Sequence, residues 1–154
     1  ILINPANEFV RDFIGADRAM KVLELIKVKE AMVSPNYKYA NLKVKEALNY
    51  FKQQQRSYLL ITSQDEEPLG YLLKKDLLKN PFTKGDNVRP FIRELYTTLS
   101  QESTLKEALS AMVYNEVTTL SVIDKNNKLI GTIDFADIQS YLFDNYEIDK
   151  ELRA

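Results

Sequence analysis

LKVKEALNYFKQQQRSYLLITSQDEEPLGYLLKKDLLK, residues 42–79, and STLKEALSAMVYNEVTTLSVIDKNNKLIGTIDFADIQS, residues 103–140, align without a gap at a constant shift of 61 positions. Lys45, Glu46, Ala47 and Leu48 recur as Lys106, Glu107, Ala108 and Leu109, while Leu59, Gly70 and Asp76 recur as Leu120, Gly131 and Asp137. These identities are not scattered: they mark a helix start, a strand, a turn into a strand and a second helix start. The chain therefore uses one supersecondary unit twice.

Working outward, each copy reads as β-α-β-β-α. In the first, Ser34-Pro35-Asn36 turns the chain into an extended segment through Tyr39. Leu42, Val44, Ala47, Leu48 and Phe51 then fall at helical spacing, and 56–62 (RSYLLIT) has the β-branched and aromatic content of a buried strand. Gln64 to Pro68 forms a turn, Leu69 to Leu73 the second strand of a hairpin, and Lys75-Asp76-Leu77-Leu78 opens a helix with an acid near its positive end. In the second copy Ile92 to Leu95 is the lead-in, Ser103-Thr104 caps a helix with Glu107 close behind, 118–124 is a strand and Lys125 to Lys128 a tight turn. Ahead of the repeats, apolar positions on either side of Gly15-Ala16-Asp17 predict two short helices, the first starting near Pro5 behind Asn4. The expected division is a helical arm at 1–27, a first repeat at 28–80, a linker at 81–87, a second repeat at 88–143 and an acidic, solvated tail at 144–154. Units too small to bury both faces of a sheet are expected to pack as a pseudo-two-fold pair, an α/β (α+β) fold.

Composition narrows the function. The 154 residues carry 21 basic and 22 acidic side chains, so the overall balance does not point to nucleic acid or an anionic surface. The chain lacks Cys and His, which removes thiol nucleophiles, thiolate or imidazole metal sites and the side chain that titrates nearest neutrality. No apolar run approaches the roughly 20 residues that span a bilayer, and the first residues do not form an export signal. The paired acids Asp134 and Asp137 have no nucleophile or activated base beside them, so we expect no catalytic residues and no metal ligands. A chain that starts on Ile reads as part of something longer.

The form VKEAM-V-SP, a KEAL helix start, a strand ending LSVID, a polar turn and then LIG-TIDF-ADI resembles the cystathionine-β-synthase (CBS) domain over about 28–80 and 88–143. ILINPANEFVRDFIGADR, at 1–18, is similar to the segment that ends the nucleotide-binding subunit of quaternary-amine ABC importers, ahead of their tandem CBS module. Together the two resemblances imply the regulatory part of an osmoprotectant (glycine betaine, carnitine or choline) transporter ATPase. Gly15, Gly70, Gly85 and Gly131 lie too far apart to build a phosphate loop, so the ATPase motif itself is not in this stretch. The implied setting is cytoplasmic, at the inner face of the membrane through the transporter. The implied partners are a second copy bound through the CBS repeats and, through the parent ATPase, the permease subunits, with no nucleic acid and no membrane insertion.

The resemblance also implies a ligand. CBS pairs commonly hold an adenosine compound, with a carboxylate at the second helix start on the ribose hydroxyls, which places Asp76 and Asp137; the alternative is that each merely caps its helix. Nucleotide-binding members usually carry Ser or Thr three residues earlier, where this chain has Leu73 and Asp134. An ionised Asp134 repels a phosphate, which disfavours AMP and ATP. Modules of this transporter family include receptors for cyclic di-AMP, whose adenines lie on apolar and aromatic side chains of the central strands. The matching positions are Tyr58, Leu60, Leu120, Ile133 and Phe135, with Ala136 following; the alternative for the five is sheet core. We therefore expect a nucleotide-sensing module, cyclic di-AMP favoured and no permanent cofactor. The rival is a dimerising, ionic-strength-sensing element without a ligand, which Leu73, Asp134 and Ala136 favour.

Overall fold

The computed structural model describes residues 16–79, 85–95 and 97–145. The helix expected from Pro5, most of the linker and the tail beyond Asn145 lie outside these residues. Two compact units emerge, and both are discontinuous in sequence. Among the described residues, one joins 34–98 to 123–130 and the other joins 16–33 to 99–122 and 131–145.

In the unit built on 34–98, strand β1 (Tyr37–Tyr39) runs parallel to β2 (Tyr58–Thr62), and β2 pairs antiparallel with β3 (Pro68–Leu73). The register sets Tyr37 opposite Leu60, Leu60 opposite Tyr71 and Tyr58 opposite Leu73. Helix α3 (Val44–Gln54) makes the crossover from β1 to β2, and α4 (Lys74–Leu78) follows β3 directly. Val44, Ala47 and Phe51 recur at helical spacing and are fully buried against Leu59, Ile61, Leu72, Leu77 and Val88. The α3 start is closed by Glu46, whose carboxylate accepts from the Lys43 amide at 3.1 Å. The 123–130 segment joins this unit through the Leu129 amide, which donates to the Glu66 carbonyl at 2.9 Å.

The second unit contains a helix over 16–25, here α1, and the single turn α2 (Val28–Ala31). The break expected at Gly15-Ala16-Asp17 is not found at its described residues: Ala16 and Asp17 lie inside the helix, where Asp17 forms an i,i+4 ion pair with Lys21 at 3.2 Å. The order continues with β4 (Thr98–Ser100), α5 (Leu105–Asn115), β5 (Thr119–Ile123), β6 (Leu129–Asp134) and α6 (Phe135–Asn145), with the sheet in the order β4-β5-β6. Thr104 caps α5 as the sequence predicts, accepting from the Glu107 amide at 3.1 Å. The β-α-β-β-α order expected of each repeat is thus found.

The repeat extends further than its identical residues. Helices α3 and α5 end at equivalent positions, Gln55 and Glu116, both left-handed at φ 52° and 54°. Neither is the glycine that usually stops a helix this way, so sequence inspection passes over them.

The lead-ins are exchanged between the repeats. Val33, in the lead-in of the first repeat, bonds both ways with Thr132 in β6, at 2.9 and 3.0 Å; Arg93, in the lead-in of the second, bonds both ways with Tyr71 in β3, at 2.9 Å each. This explains the two repeated glycines. A Cβ at Gly70 would sit 2.1 Å from the Arg93 carbonyl oxygen, and one at Gly131 would sit 2.6 Å from Met32 Sδ and 3.0 Å from the Val33 carbonyl oxygen. Each glycine lets an incoming backbone lie against a sheet.

Candidate functional site

The two carboxylates expected at the helix starts are both engaged within the protein. In α4, Asp76 takes a bidentate grip from Arg93, Nε to Oδ2 at 2.7 Å and Nη2 to Oδ1 at 2.9 Å. Its side chain is 16% exposed, and the Arg93 hydrogen bonds hold its carboxyl below the usual range, with Lys75 and Lys79 adding to the pull. Arg93 reaches this position because the exchanged lead-in lies beside β3. In α6, Asp137 accepts from the Asp134 amide at 2.9 Å while Asp134 accepts from the Asp137 amide at 2.8 Å. This is a reciprocal capping box with Asp in place of the usual Ser or Thr. Burial raises the Asp137 carboxyl above its ordinary range; the hydrogen bond from the Asp134 amide works against the rise, and the Asp134 side chain adds to it.

The apolar candidates divide by burial. Leu60, Leu120 and Ile133 are core residues, 6%, 3% and 0% exposed. Tyr58 is half-buried at the start of β2, and Ala136 is exposed. Phe135 is 53% exposed although it opens α6 directly from β6, with its amide donating to the Thr118 carbonyl at 3.3 Å. Tyr58, Leu60 and Asp76 belong to the unit built on 34–98, the other five to the unit built on 99–122. Two open grooves are lined by none of the eight. One of about 310 Å³ lies against Pro68, Leu69, Glu94, Leu95 and Thr98, the other of about 440 Å³ against Glu24, Thr104, Lys106, Glu107 and Ser110. Among the described residues there is no grouping of three acids that could hold a metal ion, and no helix is long and apolar enough to cross a membrane.

This fold has counterparts in known proteins. Residues 88–144 match the family model of the CBS domain. A CBS domain pair/ACT domain protein from Thermotoga maritima superposes with a TM-score of 0.67 at 20% identity, covering 79% of this chain and 99% of that one. Residues 88–144 are a CBS domain, and the chain has the fold of a CBS-domain pair. The CBS pair is also distantly homologous to the glycine betaine/carnitine/choline transport ATP-binding protein OpuCA of Bacillus subtilis: 24% identical over 153 residues, which cover 98% of this chain and 40% of the relative. The chain thus spans about two fifths of that relative's length. Staphylococcus aureus OpuCA shares the fold, with a TM-score of 0.64 at 18% identity over 75% of this chain and 97% of that one.

Within the CBS pair, Arg93 is the residue sequence reasoning missed. A lone arginine in a lead-in carries no pattern; only the exchange of lead-ins brings it to Asp76. The chemistry open to the two junctions is unequal. The first offers an Asp-Arg ion pair, and the second an exposed aromatic residue at the start of the helix that the Asp134–Asp137 box caps.

Proposed function

We propose that this CBS pair is the regulatory module of an osmoprotectant ABC importer's ATP-binding subunit, and that it senses an adenine dinucleotide, cyclic di-AMP in the first instance. The observation that carries the ligand reading is Phe135. It is an aromatic side chain held half in water at a sheet-to-helix junction, where a purine face has a partner. The state of the carboxylates supports a ligand held by its bases rather than by ribose hydroxyls, since Asp76 is taken by Arg93 and Asp137 by the capping box. AMP and ATP fit less well, because the resemblance to nucleotide-binding CBS domains puts Asp134 at the position where they carry Ser or Thr, and a carboxylate there repels a phosphate. The module acts on the attached ATPases to the extent that the ligand prefers one arrangement of the CBS domains.

Exposed apolar residues on α5 favour a second reading, a dimerising element without a ligand. Val113 and Tyr114 are 79% and 88% exposed, whereas the equivalent residues of α3 are Lys52 and Gln53. Calorimetric titration with cyclic di-AMP, AMP, ATP and cyclic di-GMP separates the two. Micromolar or tighter binding of cyclic di-AMP, abolished by Phe135→Ala, supports the receptor; silence from every nucleotide leaves the dimerising element.

A further inference from the structure

In the unit built on 99–122, every ion pair between residues far apart in sequence, among the described residues, crosses one seam. On one side lie residues 24–29, on the other 101–106. Lys27 and Lys29 both reach Glu102, the latter at 2.9 Å, and Lys106 reaches Glu24 at 2.7 Å. The remaining ion pair of this unit among the described residues is the local one between Asp17 and Lys21. Main-chain bonds run along the same seam: the Lys29 amide to the Gln101 carbonyl at 3.1 Å, Val28 to Ser103 at 2.7 Å, and Leu105 back to Ile26 at 2.9 Å.

The segment fixed in this way is short and thinly anchored. From 26 to 33 its buried side chains are Ile26, Val28 and Ala31, and its far end is the Val33–Thr132 bridge. The charged groups of the seam are 44 to 52% exposed, so water and dissolved ions reach them. A carboxylate between two ammonium groups is favoured in its ionised form; Glu102 is drawn down to about 2 by its hydrogen bonds to Lys27 and Lys29. A strap with few buried side chains and solvated ion pairs belongs to the part of a fold that opens locally before the rest.

We propose that residues 26–33 form a charge-latched strap. Glu102, gripped by Lys27 and Lys29, fastens the lead-in of the first CBS repeat onto the second repeat, and ionic strength sets how often that fastening opens. What lies N-terminal to the strap is thereby tied to the second CBS domain, whether or not a nucleotide binds.

Amide hydrogen exchange on the whole chain, in 50 mM and in 1 M NaCl, tests this. Raising salt is expected to speed exchange at Val28, Lys29 and Val33 by roughly three- to tenfold, the range that screening two or three exposed ion pairs allows. The β2 and β3 amides of Ile61 and Leu72 serve as internal reference and are expected to be unchanged. Glu102→Gln in low salt is expected to reproduce the fast strap exchange and to abolish most of its salt response, with Lys106→Gln giving a smaller effect of the same sign. Salt that speeds Ile61 and Leu72 by the same factor, or a Glu102→Gln variant that keeps the full salt response, overturns the proposal.

Discussion

Gly70→Ala and Gly131→Ala are the same change at equivalent positions of the two repeats, and the structure assigns them different penalties. At Gly70 the new methyl meets main chain, the Arg93 carbonyl oxygen at 2.1 Å, which no rotamer can relieve. The lead-in must move away, and with it go the two Tyr71–Arg93 hydrogen bonds, together about 2 kcal/mol. Gly70 also has φ +154°, a conformation that adds about 1–2 kcal/mol for an L-residue. The total is about 3–4 kcal/mol. At Gly131 the nearest atoms are Sδ and Cγ of Met32, a flexible side chain that can turn aside, and the Val33 carbonyl oxygen at 3.0 Å needs to give only slightly. Overpacking of that kind costs about 1–2 kcal/mol. Urea unfolding followed by far-UV circular dichroism reads the difference. With a slope of about 2 kcal/mol per molar, Gly70→Ala lowers the midpoint by about 1.5–2 M and Gly131→Ala by about 0.5–1 M. A Gly131→Ala variant that loses as much as Gly70→Ala, or a Gly70→Ala variant that loses less than about 1 kcal/mol, refutes the argument from close backbone approach.

Two further predictions concern charge. Glu102 titrates near 2 in the folded chain against 4.5 ordinarily; because its pKa is depressed, its contribution is complete above pH 4.5 and disappears as pH falls from there toward 2. Carboxyl-carbon NMR should give that low midpoint, and replacing Lys27 and Lys29 with Gln should return it close to 4.5. Arg93→Met should let the Asp76 carboxyl rise toward its ordinary range, since Arg93 supplies the main downward pull. The stabilisation from that pair is present above the ordinary value of 3.8 and is lost as pH drops through the depressed one, so the variant should show a flatter loss of stability in acid.

The parts of the fold legible in the sequence were those fixed by local rules. Helical spacing at Val44, Ala47 and Phe51, the Thr104 cap and the polar turn at 125–128 each depend on residues within a few positions of one another. In that turn Asp124 accepts from the amides of Asn126 and Lys128. The site was less legible because its residues answer to distant ones. Leu60 and Leu120 lie in strands with consecutive buried positions, Leu59 to Thr62 in one and Leu120 to Val122 in the other, where alternation cannot tell a pocket wall from core. The closing of Asp76 by Arg93 depends on which sheet the second lead-in joins, and neither residue encodes that locally. The close approach at Gly70 and Gly131 is a middle case: repetition of the glycines showed that something was constrained, and the bridged lead-ins show what.

The exchanged lead-ins also set the order in which a growing chain can finish folding. The span from Tyr71 to Arg93 closes within one stretch of sequence, whereas Val33 waits for Thr132, near the far end of the second repeat. Loop-closure entropy and contact order therefore make the unit that contains the strap the later one to form. During synthesis the main-chain bonds from Val28 to Ser103 and from Lys29 to Gln101 cannot form until the second repeat has left the ribosome. That interval is when this chain is most exposed to aggregation, and a chaperone or a slower passage through the second repeat would act there.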